Sequence, residues 1–302
     1  MSGNKLDPLF ALERRRYREA VAPLPKVEGA QEKGAALARD CMLFCGDPHG
    51  EFRHILRATA RLKPMAVVLL GDLEPQQPLH VELAAIDPQK LWFIPGNHDT
   101  DSDQNWHHVW GSQLASRNIH GCVVELPNGL RLAGLGGVFR ESVWYPSLPV
   151  EPRFRNRADH TRATPKQDRW QGSVVRKHWS SIYPNELNAL ADLRADILVV
   201  HEAPGYHPNG FEILDDLARS LGARVVVHGH QHDCLNSSYR WAAQGFKSFG
   251  VGLRGITAID VDGIASVVVP GELDDFRSFR QGHLDRKDAG TDDANPDARS
   301  ST

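Results

Sequence analysis

The chain has 302 residues, of which 41% are hydrophobic and 24% charged, and its formal net charge is -3. These values are typical of a globular protein with one large domain or two small ones, and they exclude a chain that is basic over its whole surface and binds nucleic acid in that way. No stretch is apolar and long enough to indicate a signal peptide or a membrane span, and the four cysteines form no CxxC pair. We therefore expect a cytoplasmic protein with no membrane association and no disulfide framework.

Residues 1–40 and 280–302 are predicted to flank the folded domain, which we expect to span residues 41–279. The first segment contains a highly charged helix candidate between Leu9 and Ala20, followed by a linker, and we interpret it as a peripheral helix. The last segment is polar and lacks periodicity, which is typical of a disordered tail.

From residue 41 onward, short apolar runs alternate with amphipathic segments. This alternation predicts crossovers between parallel strands and therefore an α/β layered fold. The Asn128-Gly129 turn predicts a β-hairpin within residues 122–135. Strands are predicted at 41–45, 65–70, 91–94, 197–200, 225–228, 246–250, 255–260 and 264–269, and helices at about 51–62, 79–86, 105–115, 185–193 and 210–221.

Residues 138–184 interrupt the alternation with a long segment rich in Pro, Arg and Trp. Its nine basic and four acidic residues make it locally basic in a slightly acidic chain. Arginine suits phosphate contacts and tryptophan offers a stacking surface for bases, so the segment is a candidate substrate cap. The alternative is a solvated loop that its tryptophans, Trp144, Trp170 and Trp179, anchor to the domain.

Polar side chains with metal-binding potential follow five of the predicted strands. Each alone could be a turn residue, a helix N-cap or an ordinary buried histidine. Five such coincidences at the carboxyl ends of strands, where ligands bind in α/β sheets, favour a shared site instead. In chain order the residues are Asp47 and His49; Asp72; Asn97, His98 and Asp99; His201; and His230 and His232.

The chemistry of this set indicates a metal centre. Carboxylates, an amide oxygen and neutral imidazoles suit Mn, Fe, Zn or similar ions, and the absence of a thiolate disfavours a structural zinc site. The set has more members than one tetrahedral ion needs. Two ions that share a bridging carboxylate, roughly 3.5–4 Å apart, would account for the surplus.

The motif order Asp-x-His, Gly-Asp, Gly-Asn-His-Asp, a lone His and Gly-His-x-His resembles the calcineurin-like binuclear metallophosphoesterase superfamily over residues 47–232. The resemblance implies a central β-sandwich flanked by helices in αββα layers. It also implies two divalent ions, for which Mn²⁺ is our first choice and Fe, Zn, Ni and Co are alternatives. In this pattern the first ion is held by Asp47, His49 and His232, the second by Asn97, His201 and His230, and Asp72 bridges the two.

The resemblance further implies that His98 faces the substrate rather than an ion. His98 would stabilise the transition state or protonate the leaving oxygen, and Asp99 would be able to orient its ring. Metal coordination lowers the pKa of a water to about 7, which would supply the attacking hydroxide. Arg140, at the start of the basic segment, is the candidate for a phosphate contact.

The expected function is hydrolysis of phosphate esters, as a phosphodiesterase or a phosphomonoesterase, on a phosphorylated small molecule or a nucleotide. Gly71-Asp72 is not followed by the Asp-Arg-Gly of protein Ser/Thr phosphatases, which argues against that branch. A nuclease that acts on DNA or RNA ends through the basic segment is the alternative. A non-catalytic scaffold of the same fold is disfavoured because the ligand set is intact. The sequence leaves the oligomeric state open.

Overall fold

Two five-stranded β-sheets form the centre of the protein, in a computed structural model that describes residues 41–274. The helix predicted between Leu9 and Ala20 and the tail predicted from residue 280 lie outside the described residues.

The strands are β1 (Cys41–Cys45), β2 (Ala66–Leu69), β3 (Leu91–Phe93), β4 (Cys122–Glu125), β5 (Arg131–Leu135), β6 (Ile197–Val200), β7 (Val225–His228), β8 (Lys247–Gly250), β9 (Ile256–Asp260) and β10 (Ala265–Val269). The helices are α1 (Arg53–Leu62), α2 (Leu79–Glu82), α3 (Asp103–Trp110), α4 (Arg157–Ala163), α5 (Pro184–Ala191), α6 (Glu212–Leu221) and α7 (Trp241–Gln244). Short 3₁₀ helices span Pro88–Lys90, His98–Thr100, Ala115–Arg117, Lys166–Asp168, Arg176–Ser180 and Ser238–Arg240.

Each sheet consists mainly of parallel strands and has antiparallel strands at one side. The first sheet has the order β10-β9-β1-β2-β3, in which β1, β2 and β3 are parallel. The second has the order β4-β5-β6-β7-β8, and its last four strands are parallel. The register pairs Phe44 with Val68 in the first sheet and Val200 with His228 in the second. The strands that precede the polar motifs therefore end at a common edge within each sheet.

Buried side chains show that the two sheets pack face to face between layers of helices. The core between the sheets contains Phe44 and Val68 from the first sheet and Val199 and Val227 from the second. The outer face of the first sheet packs against α1, α2 and α3, and that of the second against α5 and α6. Successive residues of a strand point to opposite faces, and both faces of the first sheet are covered at β1. All five residues of β1 are therefore buried. These layers confirm the predicted β-sandwich flanked by helices.

Two helices are placed differently from the prediction. Helix α3, predicted at about 105–115, begins at Asp103 because the Ser102 hydroxyl accepts a hydrogen bond from the N–H of Asn105, and it ends at Trp110 before Gly111. Helix α2, predicted at 79–86, has only four residues. Within residues 41–274, no helix combines the length and the apolar character needed to cross a membrane.

The basic segment 138–184 is ordered, and its tryptophans fasten it to the domain. The rings of Trp170 and Trp179 pack edge-on against Trp106 of α3, with centroid distances of 5.8 and 4.9 Å. Trp144 packs edge-on against Phe139 of the same segment, at 5.3 Å, and Phe139 belongs to the core of the second sheet. This packing favours the anchoring role of the tryptophans over the alternative that they form a stacking surface for bases.

Candidate metal centre

The loops after β1, β2, β3, β6 and β7 bring all seven predicted ligands into one cluster. The cluster joins the two sheets, because Nε2 of His49, after β1, lies 3.2 Å from Nε2 of His232, after β7. In the same way, Nε2 of His201, after β6, lies 3.3 Å from Oδ1 of Asn97, after β3. The carboxyl edges of both sheets therefore meet at one site, as the positions of the motifs predicted.

Two compact groups of donor atoms lie side by side in this cluster and share Asp72. His49, Asp72 and His232 form one group, and Asp72, His201 and His230 form the other. Within each group the donor atoms lie within 4.8 Å of one another. Oδ2 of Asp72 is buried 3.4 Å from Nε2 of His201 and accepts no hydrogen bond from the described residues. A buried carboxylate oxygen without a hydrogen bond, placed between two sets of imidazoles, fits a bridging ligand for two cations.

Two histidines of the cluster have their Nδ1 atoms bound by other protein groups, which leaves Nε2 to face the cluster. Nδ1 of His201 donates to the backbone oxygen of Leu70 at 2.7 Å, so Nε2, which faces Asp72, is the ring atom that would bind an ion. Nδ1 of His49 lies 2.5 Å from Oε2 of Glu74, so its Nε2 faces His232. Second contacts of this kind, from a carbonyl or a carboxylate to the far ring nitrogen, are characteristic of metal-binding histidines. Glu74 was not identified from the sequence.

Asp47 is buried at the edge of the cluster and belongs to neither compact group. Both oxygens of its carboxylate accept a hydrogen bond from the backbone N–H of His230, at 3.0 and 2.9 Å. Its Oδ1 also lies 3.8 Å from Nδ1 of His201. Asp47 therefore connects the β1 loop to the β7 loop, and its role as a ligand of the first ion stays a prediction.

The protein environment opposes the charged forms of Asp47 and His230 when no cation is bound. Asp72 and His201 instead stabilise each other's charge: against the effect of burial, His201 lowers the pKa of Asp72 well below its usual value, and Asp72 raises the pKa of His201 to about 10. Burial raises the pKa of Asp47 to about 7, and the Asp72 carboxylate acts in the same direction, against the neighbouring His201 and His49. Burial and the charge of His201 lower the pKa of His230 to about 3, so its ring is neutral and available as a ligand. A divalent cation would offset the cost of buried carboxylates and would favour neutral imidazoles, so the residues fit such an ion.

Five of the predicted ligands have left-handed backbone conformations, which are unfavourable for residues other than glycine. Gly96 has a different role, since a Cβ at this position would lie 2.3 Å from both the backbone nitrogen and Oδ1 of Asp72. Only a residue without a side chain lets the β3 loop approach the β2 loop so closely. The five ligands, with their φ angles, are Asp47 (36°), His49 (43°), Asp72 (51°), His230 (65°) and His232 (57°).

His98 lies beside the cluster and is half-exposed. Its backbone N–H donates to Oδ1 of Asp72 at 2.8 Å, and its ring lies 5.4 Å from that of His49, measured between centroids. Nδ1 of His98 lies 2.6 Å from Oδ2 of Asp101, and this hydrogen bond is the main reason why the pKa of His98 is raised to about 9, against the effect of partial burial. In the metal-free protein the imidazolium form therefore predominates at neutral pH.

The prediction that Asp99 orients the His98 ring was wrong, because Asp101 makes that contact. Asp99 is buried, and its Oδ1 accepts backbone hydrogen bonds from Leu73 and Glu74 at 2.8 and 3.0 Å. Its Oδ2 accepts one from Gly96 at 2.8 Å. Asp99 thus ties the β2 loop to the β3 loop, and its side chain is committed to backbone groups.

Arg140 and Glu202 lie on the side of the cluster that faces the basic segment. Nε of Arg140 is buried and donates no hydrogen bond within residues 41–274, while its Nη2 contacts Oγ of Ser180 at 3.4 Å. Burial lowers the pKa of Arg140, and the charges of Asp101 and Glu202 oppose that effect. Oε2 of Glu202 lies 3.7 Å from Nε2 of His230, and its Oε1 accepts from the N–H of Phe139 at 3.1 Å. Glu202 was not identified from the sequence, although it directly follows His201.

The chain is similar to a known protein family, to a bacterial protein and to solved structures. Residues 42–234 match the calcineurin-like phosphoesterase family. An uncharacterized protein of Haemophilus influenzae strain Rd is 38% identical over 215 residues, which are 71% of this chain and 92% of that protein. Among solved structures, TT1561 of Thermus thermophilus is 14% identical with a TM-score of 0.49 and covers 76% of this chain and 98% of its own. A conserved uncharacterized protein from Streptococcus pneumoniae TIGR4, titled a predicted phosphoesterase, is 13% identical with a TM-score of 0.30 and covers 76% and 97%. Since the family match spans more than half of the chain, the protein belongs to the calcineurin-like phosphoesterases and is a phosphoric ester hydrolase.

Proposed function

We propose that this phosphoesterase hydrolyses phosphorylated small molecules, nucleotides included, at a centre of two divalent ions. The observation that carries the proposal is the pair of donor groups that share Asp72. Mn²⁺ is the first choice of ion, because a set of carboxylate, amide and imidazole donors suits it. His49, His232 and Asp47 would hold the first ion, and His201, His230 and Asn97 the second, with Asp72 common to both.

The two ions, when bound, neutralise charge on the phosphoryl group and lower the pKa of a water to about 7. The chain's own residues supply the remaining requirements of ester cleavage. Nε2 of His98 donates a proton to the leaving oxygen, since Asp101 holds Nδ1 and favours the protonated ring. The guanidinium of Arg140, with a buried Nε that has no hydrogen-bond partner within the described residues, would contact the phosphoryl oxygens.

The contacts of the basic segment favour a small substrate over a nucleic acid. Although the segment is basic in sequence, many of its arginines are paired with carboxylates, which reduces the charge available to a polyanion. These pairs support a small substrate, and a nuclease that acts on DNA or RNA ends remains the alternative. The cytoplasmic location stays a prediction. The pairs are Arg155 with Glu151, Arg157 with Glu186, Arg162 with Asp159, and Arg176 with Asp103.

The proposal is tested by elemental analysis of the purified protein together with hydrolysis of 4-nitrophenyl phosphate and bis(4-nitrophenyl) phosphate. We expect two equivalents of a transition metal, loss of activity with a chelator and recovery with Mn²⁺. Asp72→Asn should lower the content of both ions. A protein that is free of metal and fully active would contradict the proposal.

The substrate class is tested by profiling mononucleotides, cyclic nucleotides, dinucleotides and oligonucleotides. A small-molecule enzyme should prefer one of the first three classes. A nuclease should instead prefer oligonucleotides, with binding that weakens steeply as the salt concentration rises.

A further inference from the structure

We propose that Arg176, which lies 75 positions after Asp101, is a positioning residue for the His98–Asp101 pair. Its guanidinium binds the segment that carries the pair at three points. Nε donates to the backbone oxygen of Thr100 at 3.0 Å, Nη2 donates to the backbone oxygen of Asp101 at 2.8 Å, and Nη1 pairs with the carboxylate of Asp103. The inference rests on the proposed role of His98 as a proton donor.

The segment that Arg176 holds has little regular structure of its own. His98 to Thr100 form a single 3₁₀ turn, and α3 begins only at Asp103. The side chains of His98 and Asp101 are 42% and 58% exposed, so packing around them does little to fix their positions. The position of the Asp101 carboxylate depends on the backbone of residues 100–101, and Arg176 binds both carbonyl oxygens of that stretch.

Arg176 is itself held by the rest of the basic segment. Its guanidinium carbon lies 5.5 Å from the centre of the Trp170 ring, which packs on Trp106 of α3. A second contact joins the basic segment to the turn that carries His98: Oγ1 of Thr100 lies 2.8 Å from Oγ of Ser180. The basic segment is therefore attached to the end of the turn that carries His98 by both Ser180 and Arg176, and Arg176 makes the charged contact.

The chemistry of this contact is specific to arginine. A planar guanidinium presents donors in several fixed directions, so one side chain can bind two carbonyl oxygens and a carboxylate together. The ammonium group of a lysine has one compact centre and cannot span the three acceptors. Arg176→Lys should therefore keep the charge and most of the stem, and thus the fold, but lose the bridge.

The test compares kcat, KM and metal content of Arg176→Lys and Arg176→Ala with those of the wild type, on phenyl phosphate and on 4-nitrophenyl phosphate. Phenolate is the poorer leaving group and depends more on proton donation. We expect kcat on phenyl phosphate to fall about 10- to 100-fold, kcat on the nitrophenyl ester to fall much less, and KM and metal content to stay unchanged. Guanidinium ion added to Arg176→Ala should restore part of the lost kcat. Arg162→Ala is the matched control. The exposed Arg162 guanidinium pairs with Asp159 of the same segment, so this variant should match the wild type on both esters.

His98→Gln provides the benchmark that separates the two hypotheses. If His98→Gln slows both esters equally, the proposed role of His98 is wrong and the inference fails with it. If His98→Gln is selective for phenyl phosphate but Arg176→Lys matches the wild type, or slows both esters equally, then Arg176 does not position the pair and the inference alone is overturned. Arg176→Lys decides this even if Arg176→Ala does not fold.

Discussion

The carboxylate of Asp101 lies 2.6 Å from Nδ1 of His98, and both residues belong to one turn after β3. In a 3₁₀ turn, residues three apart lie one above the other, so the aspartate at position 101 returns to the side on which His98 lies. The pair gives the site a proton donor whose charged form is stabilised within the same loop.

Replacement of Asp101 should slow the reaction without loss of metal. We expect Asp101→Asn to lower kcat/KM about 10- to 100-fold and His98→Gln to lower it about 10²- to 10⁴-fold, with metal content unchanged. The double variant should be no slower than His98→Gln alone, because the two residues act as one unit. Steady-state kinetics on phenyl phosphate would measure this. Additive losses in the double variant would show that Asp101 acts independently of His98.

The same pair predicts a pH dependence. A proton donor acts in its protonated form, so activity should be present below the pKa of His98 and fall as the pH rises through it. That pKa is about 9 in the metal-free protein, and bound cations would lower it, so the alkaline limb of kcat/KM is expected at or below pH 9. Asp101→Asn should move this limb to lower pH. An unchanged limb would mean that another group titrates there.

Removal of Glu74 should lower the affinity for one of the two ions more than for the other. The Glu74 carboxylate holds Nδ1 of His49, which belongs to only one of the two donor groups. Loss of such a contact typically lowers metal affinity about 10- to 100-fold, so Glu74→Ala should show one weakened Mn²⁺ site in calorimetric titration, with Glu74→Gln intermediate. Glu51→Gln is the control, because Glu51 pairs with exposed Arg53. Two unchanged sites in Glu74→Ala would contradict the assignment of His49.

Addition of a methyl group at Gly96 should disrupt the centre. The new Cβ would lie 2.3 Å from Asp72 and 2.6 Å from Cε1 of His201, so the β2 and β3 loops would have to separate. We expect a loss of about 1–3 kcal/mol in the free energy of unfolding and a large loss of bound metal. Gly129→Ala is the comparison: its Cβ would meet no atom within 4 Å, and only its φ of +82° is unfavourable. That variant should lose about 1 kcal/mol and keep its metal, as chemical denaturation and elemental analysis would show.

Acid should destabilise the basic segment through His178. This histidine is buried, and burial together with the charges of His160 and Lys177 lowers its pKa to about 3, from 6.5 in the unfolded chain. The folded protein then binds fewer protons than the unfolded chain, so the stabilisation is complete above about pH 6.5 and is lost as the pH falls toward 3. At pH 5 the loss from this residue is about 2 kcal/mol. Urea unfolding at pH 7 and pH 5 should therefore show a smaller difference for His178→Gln than for the wild type; equal differences would exclude His178 as a source.

The sequence was sufficient to predict features that depend on local pattern. The strands Ile197–Val200 and Val225–His228 lie where their apolar runs predicted, because each run is bounded by polar or turn-forming residues. The ligand set could be collected because parallel strands place their carboxyl ends together, whatever the details of the loops.

The features that were missed depend on the direction of side chains and on contacts between distant segments. Asp99 is the neighbour of His98, but in the 3₁₀ turn it points into the protein, and Asp101 takes the contact. Glu74 and Glu202 acquire their roles only from the folded positions of His49 and His230. The contacts of Arg176 likewise depend on the path of the whole basic segment.

The five left-handed ligand residues have a consequence for the heat resistance of the protein. Glycine would adopt each of these conformations without the steric cost of a side chain, and burial of the Asp47 carboxylate adds an electrostatic cost. The site therefore lowers the stability of the fold when the ions are absent. Asp47→Asn keeps an acceptor for the N–H of His230, tolerates the left-handed conformation and removes the buried charge. This variant should therefore melt at a higher temperature than the wild type in chelator, and the advantage should disappear or reverse when Mn²⁺ is added, because ion binding then stabilises only the intact site. The activity of the metal-loaded protein and the thermal stability of the metal-free protein therefore favour different residues at the same five backbone positions.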